Sequence, residues 1–259
     1  MMFLVLCVSV AALVWDRNRP LTLATCLIIP GLFKGLTASW CPLVLIKPAK
    51  WLTILWMAGW TLLLNGLILL LAGVGPYETW FRDILPNAQS MEIQRYWSHT
   101  MNLKGMAYNW GWASFPASLL NLFQAVGLLV VYVGYWKNRN AQGVAALANI
   151  CAAIAAVLAL FNMFNAVSWL PYITFLFPFA GWAFIEYRES APPVKRSLAI
   201  AGSLLLLIVP ALHLVVGRFI LKTPQDPLVA GRDFCFGLEI LFLILAYRRF
   251  YFAPPFRAG

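Results

Sequence analysis

Long apolar stretches alternate along this chain with short basic loops, and most of the Lys and Arg fall in every second loop. An apolar run of about 20 residues is what an α-helix needs to cross the roughly 30 Å hydrocarbon core of a bilayer. Inside that core every backbone N–H and C=O must be satisfied within the segment, so such runs fold as helices. Loop charge then orients the helices, because Lys and Arg gather on the cytoplasmic side. Read loop by loop, Arg17, Arg19, Lys47, Lys50, Lys137, Arg139, Arg188, Lys195, Arg196, Arg248, Arg249 and Arg257 share that side. Arg82, Arg95, Lys104, Arg218, Lys222 and Arg232 face the other, and Lys34 alone stands inside an apolar stretch. The expectation is an all-α, polytopic transmembrane helix bundle.

Composition agrees. With 62% hydrophobic and 11% charged residues, the chain is far from a soluble domain, which carries about 25% charged residues. The formal charge of +10 does not point to nucleic acid, because the basic residues cap spans and form no stripe. Cys7, Cys26, Cys41, Cys151 and Cys235 are scattered without C-x-x-C spacing, so buried free thiols are expected and no metal site. No cofactor motif is present: neither a Gly-rich phosphate loop, nor G-x-S-x-G, nor H-E-x-x-H.

A pass along the chain gives about six full spans. Met1 to Trp15 is apolar but short and lacks a basic leader region. It reads as the remainder of a span that begins upstream, which makes the chain an N-terminally truncated piece of a longer protein. Leu21 to Ile46 is interrupted by Gly31, Lys34, Gly35, Trp40 and Pro42. A straight span would put Lys47 and Lys50 opposite Arg17 and Arg19, so a hairpin of two half-length helices is expected, with Lys34 near its tip. Trp51 to Val74 crosses outward. Residues 75–115 form a long extracytoplasmic loop, in which Trp80, Phe81, Ile84 and Leu85 recur at helical spacing and predict an amphipathic interfacial helix. Pro116–Trp136 and Val144–Leu160 cross next, followed by an outer turn, Asn162–Trp169. Leu170–Phe184 then returns to a loop, Glu186–Arg196, where Pro192 and Pro193 interrupt any helix. Ser197–Val216 exits, Arg218–Asp233 is an outer loop, and Phe234–Tyr247 re-enters. No linker divides this, so residues 1–259 are expected to be a single membrane domain.

Polar groups at the outer face and inside the membrane are the places for chemistry. A Lys at the centre of a span costs about 2.5–3.5 kcal/mol on insertion scales. Lys34 therefore either snorkels to an interface or awaits a lipid phosphate. Glu239, the second intramembrane ionisable residue, is placed to neutralise Lys34 or another cation across the bundle. In the long loop His99, Asn102 and Lys104 stand among Tyr96, Trp97, Tyr108, Trp110 and Trp112. Such cations suit a phosphate leaving group and such indoles suit the C–H faces of a sugar; the bland alternative is an interfacial aromatic belt with solvated charges. His213 reads as a satisfied structural histidine, and Ser168-Trp169 as an outer turn.

In this order the features resemble the C-terminal part of the polyprenyl-phosphate-mannose-dependent mannosyltransferases, glycosyltransferase family 87 of the GT-C superfamily. The residues that carry the resemblance are the basic turn Arg17–Arg19, then Phe33-Lys34-Gly35, Pro42 and Lys47–Lys50. Asn102-Leu103-Lys104-Gly105 matches an N-x-S-like motif followed by Gly, without the Ser. Asn165-Ala166-Val167-Ser168-Trp169-Leu170-Pro171-Tyr172 keeps the Ser-Trp and following aromatic of a Ser-Pro-x-Ser-Trp segment. The resemblance covers about residues 1–190. It implies transfer of a hexose, mannose, from a polyprenyl-phosphate-linked donor to a glycan or glycolipid acceptor at the outer face of a bacterial plasma membrane. It also implies a GT-C-like fold whose acidic catalytic residue lies in the first outer loop, upstream of Met1, so the catalytic residue is unknown in this chain. Lys34, His99, Asn102, Lys104, Trp110, Ser168 and Trp169 are the candidate donor-phosphate and substrate contacts. A transporter or lipid flippase would also want Lys34 and Glu239, but it would show matched broken helices in two halves, and only one is present. A non-catalytic remnant of the fold is the third reading.

Overall fold

The computed structural model describes residues 2–34, 40–48, 50–84, 103, 117–164, 176–215, 219 and 227–252, which are helical almost throughout, with no strand among them. In chain order the helices are α1 Met2–Val14, α2 Pro20–Lys34, α3 Cys41–Ile46, α4 Trp51–Ala72, α5 Gly75–Thr79, α6 Ala117–Lys137, α7 Gly143–Phe164, α8 Phe177–Glu189, α9 Pro192–Val215 and α10 Pro227–Tyr251. Helix α4, residues 119–137 of α6, and α7 are long and apolar enough to cross a membrane. The chain is therefore a polytopic membrane helix bundle, spanning at least three times.

Helix α7 is the axle. It is apolar on every side, and a helix of that kind must be surrounded. Ala146, Ala148, Ala152, Ala153, Ala155, Ala156 and Ala159 are all buried, as are Ile150, Ile154, Val157 and Leu158. Small side chains let neighbouring backbones approach closely, and α1, α6, α8 and α10 all pack on α7. Close approach extends to α10 against α9: a Cβ added to Gly237 would lie 2.7 Å from the Leu205 carbonyl oxygen. Helix α4 is the opposite case. Only Thr53 is buried, while Leu62, Leu63, Leu70 and Leu71 stand open and α2 is its main support. An apolar helix with so little protein around it has lipid as its solvent.

The basic turns gather at one end of the bundle. Arg19, Lys47 and Arg139 line one cavity, Lys137 lies over the Tyr251 ring, and Arg248 and Arg249 reach Glu186 in α8. Because Arg19 precedes α2 and Lys47 follows α3, this pair of helices returns to the end it starts from, as a hairpin does. Pro30 lies inside α2 and removes a helical N–H shortly before the helix ends at Lys34.

Three boundaries differ from expectation. Pro192 and Pro193 open α9 instead of interrupting a helix. The missing proline N–H is one that the first turn of a helix leaves unused anyway. Helix α10 starts at Pro227, so Asp233 lies on the helix and is fully buried, not in an outer loop. Its charged start looks like loop to a hydropathy reading, although Asp233 is covered. Helix α8 runs on to Glu189, so Glu186 lies on it and not in the loop that follows. A π-helical turn, Trp80–Ile84, continues from α5 with Trp80, Phe81 and Ile84 all exposed. Leu85 lies outside the described residues. None of the five cysteines is in a disulfide; Cys7 and Cys235 are buried and the other three half-buried.

Candidate functional site

Helices α7 and α10 run antiparallel, and a buried polar clasp sets their register at the basic end. Arg249 Nε donates to Asn149 Oδ1 at 2.9 Å, and Asn149 Nδ2 donates to the Asn138 carbonyl at 3.2 Å. Asn138 Nδ2 in turn reaches the carbonyls of Gly134 and Phe250. Glu186 faces Arg248 at 3.4 Å and Arg249 at 3.7 Å. The clasp joins α6, α7, α8 and α10. In an apolar surrounding each partner would be costly alone, so the network holds its members to one arrangement.

From that anchor the two helices carry Met163 against Phe236 at the opposite end, with Phe164, Ile240, Leu243 and Leu103 around them. Leu103 belongs to the long 75–115 loop, so the loop touches the bundle here. Three polar side chains are buried in this half, away from the basic end: Asn162, Asp233 and Glu239. Among the described residues, neither oxygen of Glu239 nor either amide atom of Asn162 has a hydrogen-bond partner. Asn162 is within interaction reach of the carboxyl but not in hydrogen-bonding geometry. Carboxyl and amide together make a polar spot in an apolar wall with unused donor and acceptor capacity. Glu239 forms no ion pair within the described residues.

Lys34 is the last residue of α2; its side chain lies outside the described residues, as do those of Arg232 and His213. His99, Asn102, Lys104, Trp110, Ser168 and Trp169 lie wholly outside them. What the structure brings together is Leu103, flanked in sequence by Asn102 and Lys104, with the ends of α7 and α10. Glu78 and Asp83 are exposed beyond the end of α4. Sequence reasoning missed the clasp. Asn149 gave a signal, being a lone amide in an Ala-rich run where lipid offers it no partner.

At the basic end the α1–α2, α3–α4 and α6–α7 turns line an open cavity of about 740 Å³. Asp16 and Lys47 face each other across it. Burial pushes the Asp16 carboxyl up and Lys47 opposes this; burial pushes the Lys47 ammonium down and Asp16 opposes that. In both groups loss of water outweighs the attraction of the partner.

A sequence model for glycosyltransferase family 87 matches residues 1–160 of the chain. That range runs from α1 through most of α7 and contains the 75–115 loop. No curated protein and no solved structure matches the chain.

Proposed function

The chain belongs to glycosyltransferase family 87, whose characterised members are polyprenyl-phosphate-mannose-dependent α-mannosyltransferases, and from that membership we propose that it acts in transfer of mannose from a polyprenyl-phosphate donor to a glycan or glycolipid acceptor. The reaction is assigned to the extracytoplasmic face of a bacterial plasma membrane. The bundle is read as crossing about six times, with the α2–α3 pair as a non-crossing hairpin and residues 1–259 as one membrane domain. The 75–115 loop is the cover of the site.

The family match carries this reading. Leu103, flanked in sequence by Asn102 and Lys104, packs on the ends of α7 and α10, which supports reading its loop, with His99 and Trp110, as part of the site. A phosphate-linked donor needs cations to stabilise the departing phosphate and a base to deprotonate the acceptor hydroxyl. Lys34, His99 and Lys104 take the first role. Asn102, Trp110, Ser168 and Trp169 orient the sugar, and a closed loop would exclude water. Of the outer carboxylates, Glu78 and Asp83 are open to an acceptor, whereas Asp233 is enclosed in α10.

The test is transfer itself. The chain is reconstituted in liposomes with radiolabelled polyprenyl-phosphate-mannose and a panel of glycan acceptors, beside Lys34→Ala. Mannosylated product that falls at least tenfold in Lys34→Ala, with membrane insertion unchanged, is the expected result, and it would put the base among this chain's own carboxylates instead of the upstream acid that the resemblance implies. Full transfer by Lys34→Ala removes that residue from the site. Movement of the donor across the bilayer without transfer would replace this reading with a flippase.

A further inference from the structure

The cavity at the basic end has no role in sugar transfer at the opposite face, yet its lining is selective. Arg19, Lys47 and Arg139 face it, against Asp16 as the one carboxylate. Among the described residues none of these three cations forms an ion pair. Four other cations of the same end are engaged, while Arg17, Lys195 and Arg196, outside the cavity lining, form no ion pair among the described residues: Lys50 Nζ donates to the Leu45 carbonyl at 2.7 Å, Arg188 pairs with Glu189, and Arg248 and Arg249 meet Glu186. A topological preference for basic loops explains cations at this face; it does not explain three of them lining one cavity with a single carboxylate and no ion pair among the described residues.

Two further features point the same way. Arg139 is held in place: it donates to the Trp136 carbonyl at 2.9 Å, and its guanidinium sits 4.5 Å from the centre of the Trp136 ring. A guanidinium fixed on one side keeps its remaining N–H groups available for a planar oxyanion. Helices α2, α4 and α7 also begin at the cavity, which Pro20, Thr53 and Gly143 line. The N-terminal end of a helix carries positive potential and unused backbone N–H groups, and no side chain caps α4. The volume is that of a small-ligand site, typically about 300–1,000 Å³. The turns that form it cap membrane-crossing helices, so it lies at the depth of lipid phosphates.

We propose that this cavity binds a phosphate group, carried by an anionic lipid headgroup or present as the free anion. Basic pockets between membrane helices capture phosphate headgroups because each cation adds attraction to a negatively charged leaflet, about 1 kcal/mol apiece. Half-buried Lys47 gains an anion there in place of the water it has lost. Asp16 opposes the ligand, so its removal strengthens binding.

The experiment uses the full chain in nanodiscs of phosphatidylcholine, alone or with phosphatidylglycerol. Native mass spectrometry after release reads retained phosphatidylglycerol, and thermal unfolding in phosphatidylcholine discs reads stabilisation by added inorganic phosphate. Retention should drop by about fivefold for each of Arg19→Gln, Lys47→Gln and Arg139→Gln, and by about a hundredfold in the triple variant. Asp16→Asn should raise it by about fivefold, a gain that misfolding does not produce. Arg188→Gln, at the same face but outside the cavity, should leave it unchanged. Selective retention of phosphatidylglycerol identifies the lipid as the source; stabilisation by inorganic phosphate in the wild type but not the triple variant identifies the free anion. The proposal fails if wild type and Asp16→Asn show neither effect above the triple variant, or if Arg188→Gln loses as much as the cavity variants.

Discussion

Arg249 shows how one side chain comes to matter more than its position in sequence implies. Read as a stop signal, it needs only to be basic; in the fold it is buried and shared between Asn149 and Glu186. Removing one member of a buried ionic network strands its partners, at a cost of about 3–5 kcal/mol. Because Arg248 still faces Glu186, Arg249→Ala should lie near the lower end, about 3 kcal/mol. It is measured as a lowered unfolding temperature in detergent, with exposed Arg188→Ala as the unaffected control. Asp16 gives a residue-scale prediction in pH. Its carboxyl is raised by burial against the pull of Lys47, so ionising it is harder in the folded chain than in the unfolded one. That penalty is present at neutral pH and is relieved as pH falls through the raised value. Lys47, lowered by burial, carries the mirror penalty, relieved as pH rises through its own lowered value. Arg19 and Arg139 face the same cavity and do not titrate in this range; Tyr135, the other ionisable neighbour, feels Asp16 as well. Retention of phosphatidylglycerol, whose phosphodiester keeps its single charge, should therefore grow as pH falls through the raised Asp16 value. Asp16→Asn should remove that dependence, and an unchanged pH profile in the variant would contradict it.

At the scale of elements, the contacts between helices set what can be changed. An alanine Cβ at Gly237 would meet the backbone of Leu205 at 2.7 Å, and a backbone oxygen cannot rotate away. Gly237→Ala should force α9 and α10 apart and cost about 1–3 kcal/mol, as overpacking does. Gly59→Ala on α4, with open space around it, should be neutral or slightly stabilising, since alanine favours helix over glycine. Calorimetry of the two variants side by side checks both. Helices α4, α6 and α7 were readable from hydropathy to within a few residues, because a long apolar run leaves no other way to satisfy a backbone in lipid. The starts of α9 and α10 were not, since prolines and charges that read as loop are tolerated in a first helical turn. The clasp was invisible for another reason: Asn149, Glu186 and Arg249 are far apart in sequence, and only packing says which distant polar residues meet. Of the outer site, the loop could be read as a candidate, and its contact through Leu103 could not. The seven residues named for that site lie outside the described structure, in whole or by side chain.

For the whole molecule, the gathering of basic turns at one end is a statement about topology that labelling can test. Single cysteines at Arg17, Arg19, Lys47 and Lys50, in a background without the five native thiols, should react with an impermeant reagent from the same side. Reaction of the first pair from one side and the second from the other would turn the α2–α3 hairpin into a crossing span. The bundle is also uneven: α7 is enclosed by four helices, while α4 hangs on its margin. These two helices are similarly apolar and equally long, yet they should accept change by opposite rules. On α4 what matters is solubility in lipid, so Leu, Ile, Phe and Val should exchange freely at Leu62, Leu70 and Leu71. On α7 what matters is shape, and even a single added methyl group at Ala153 or Ala155 has nowhere to go. Mutational drift in a chain like this would erase the apparent signature of one span and preserve that of the other letter by letter.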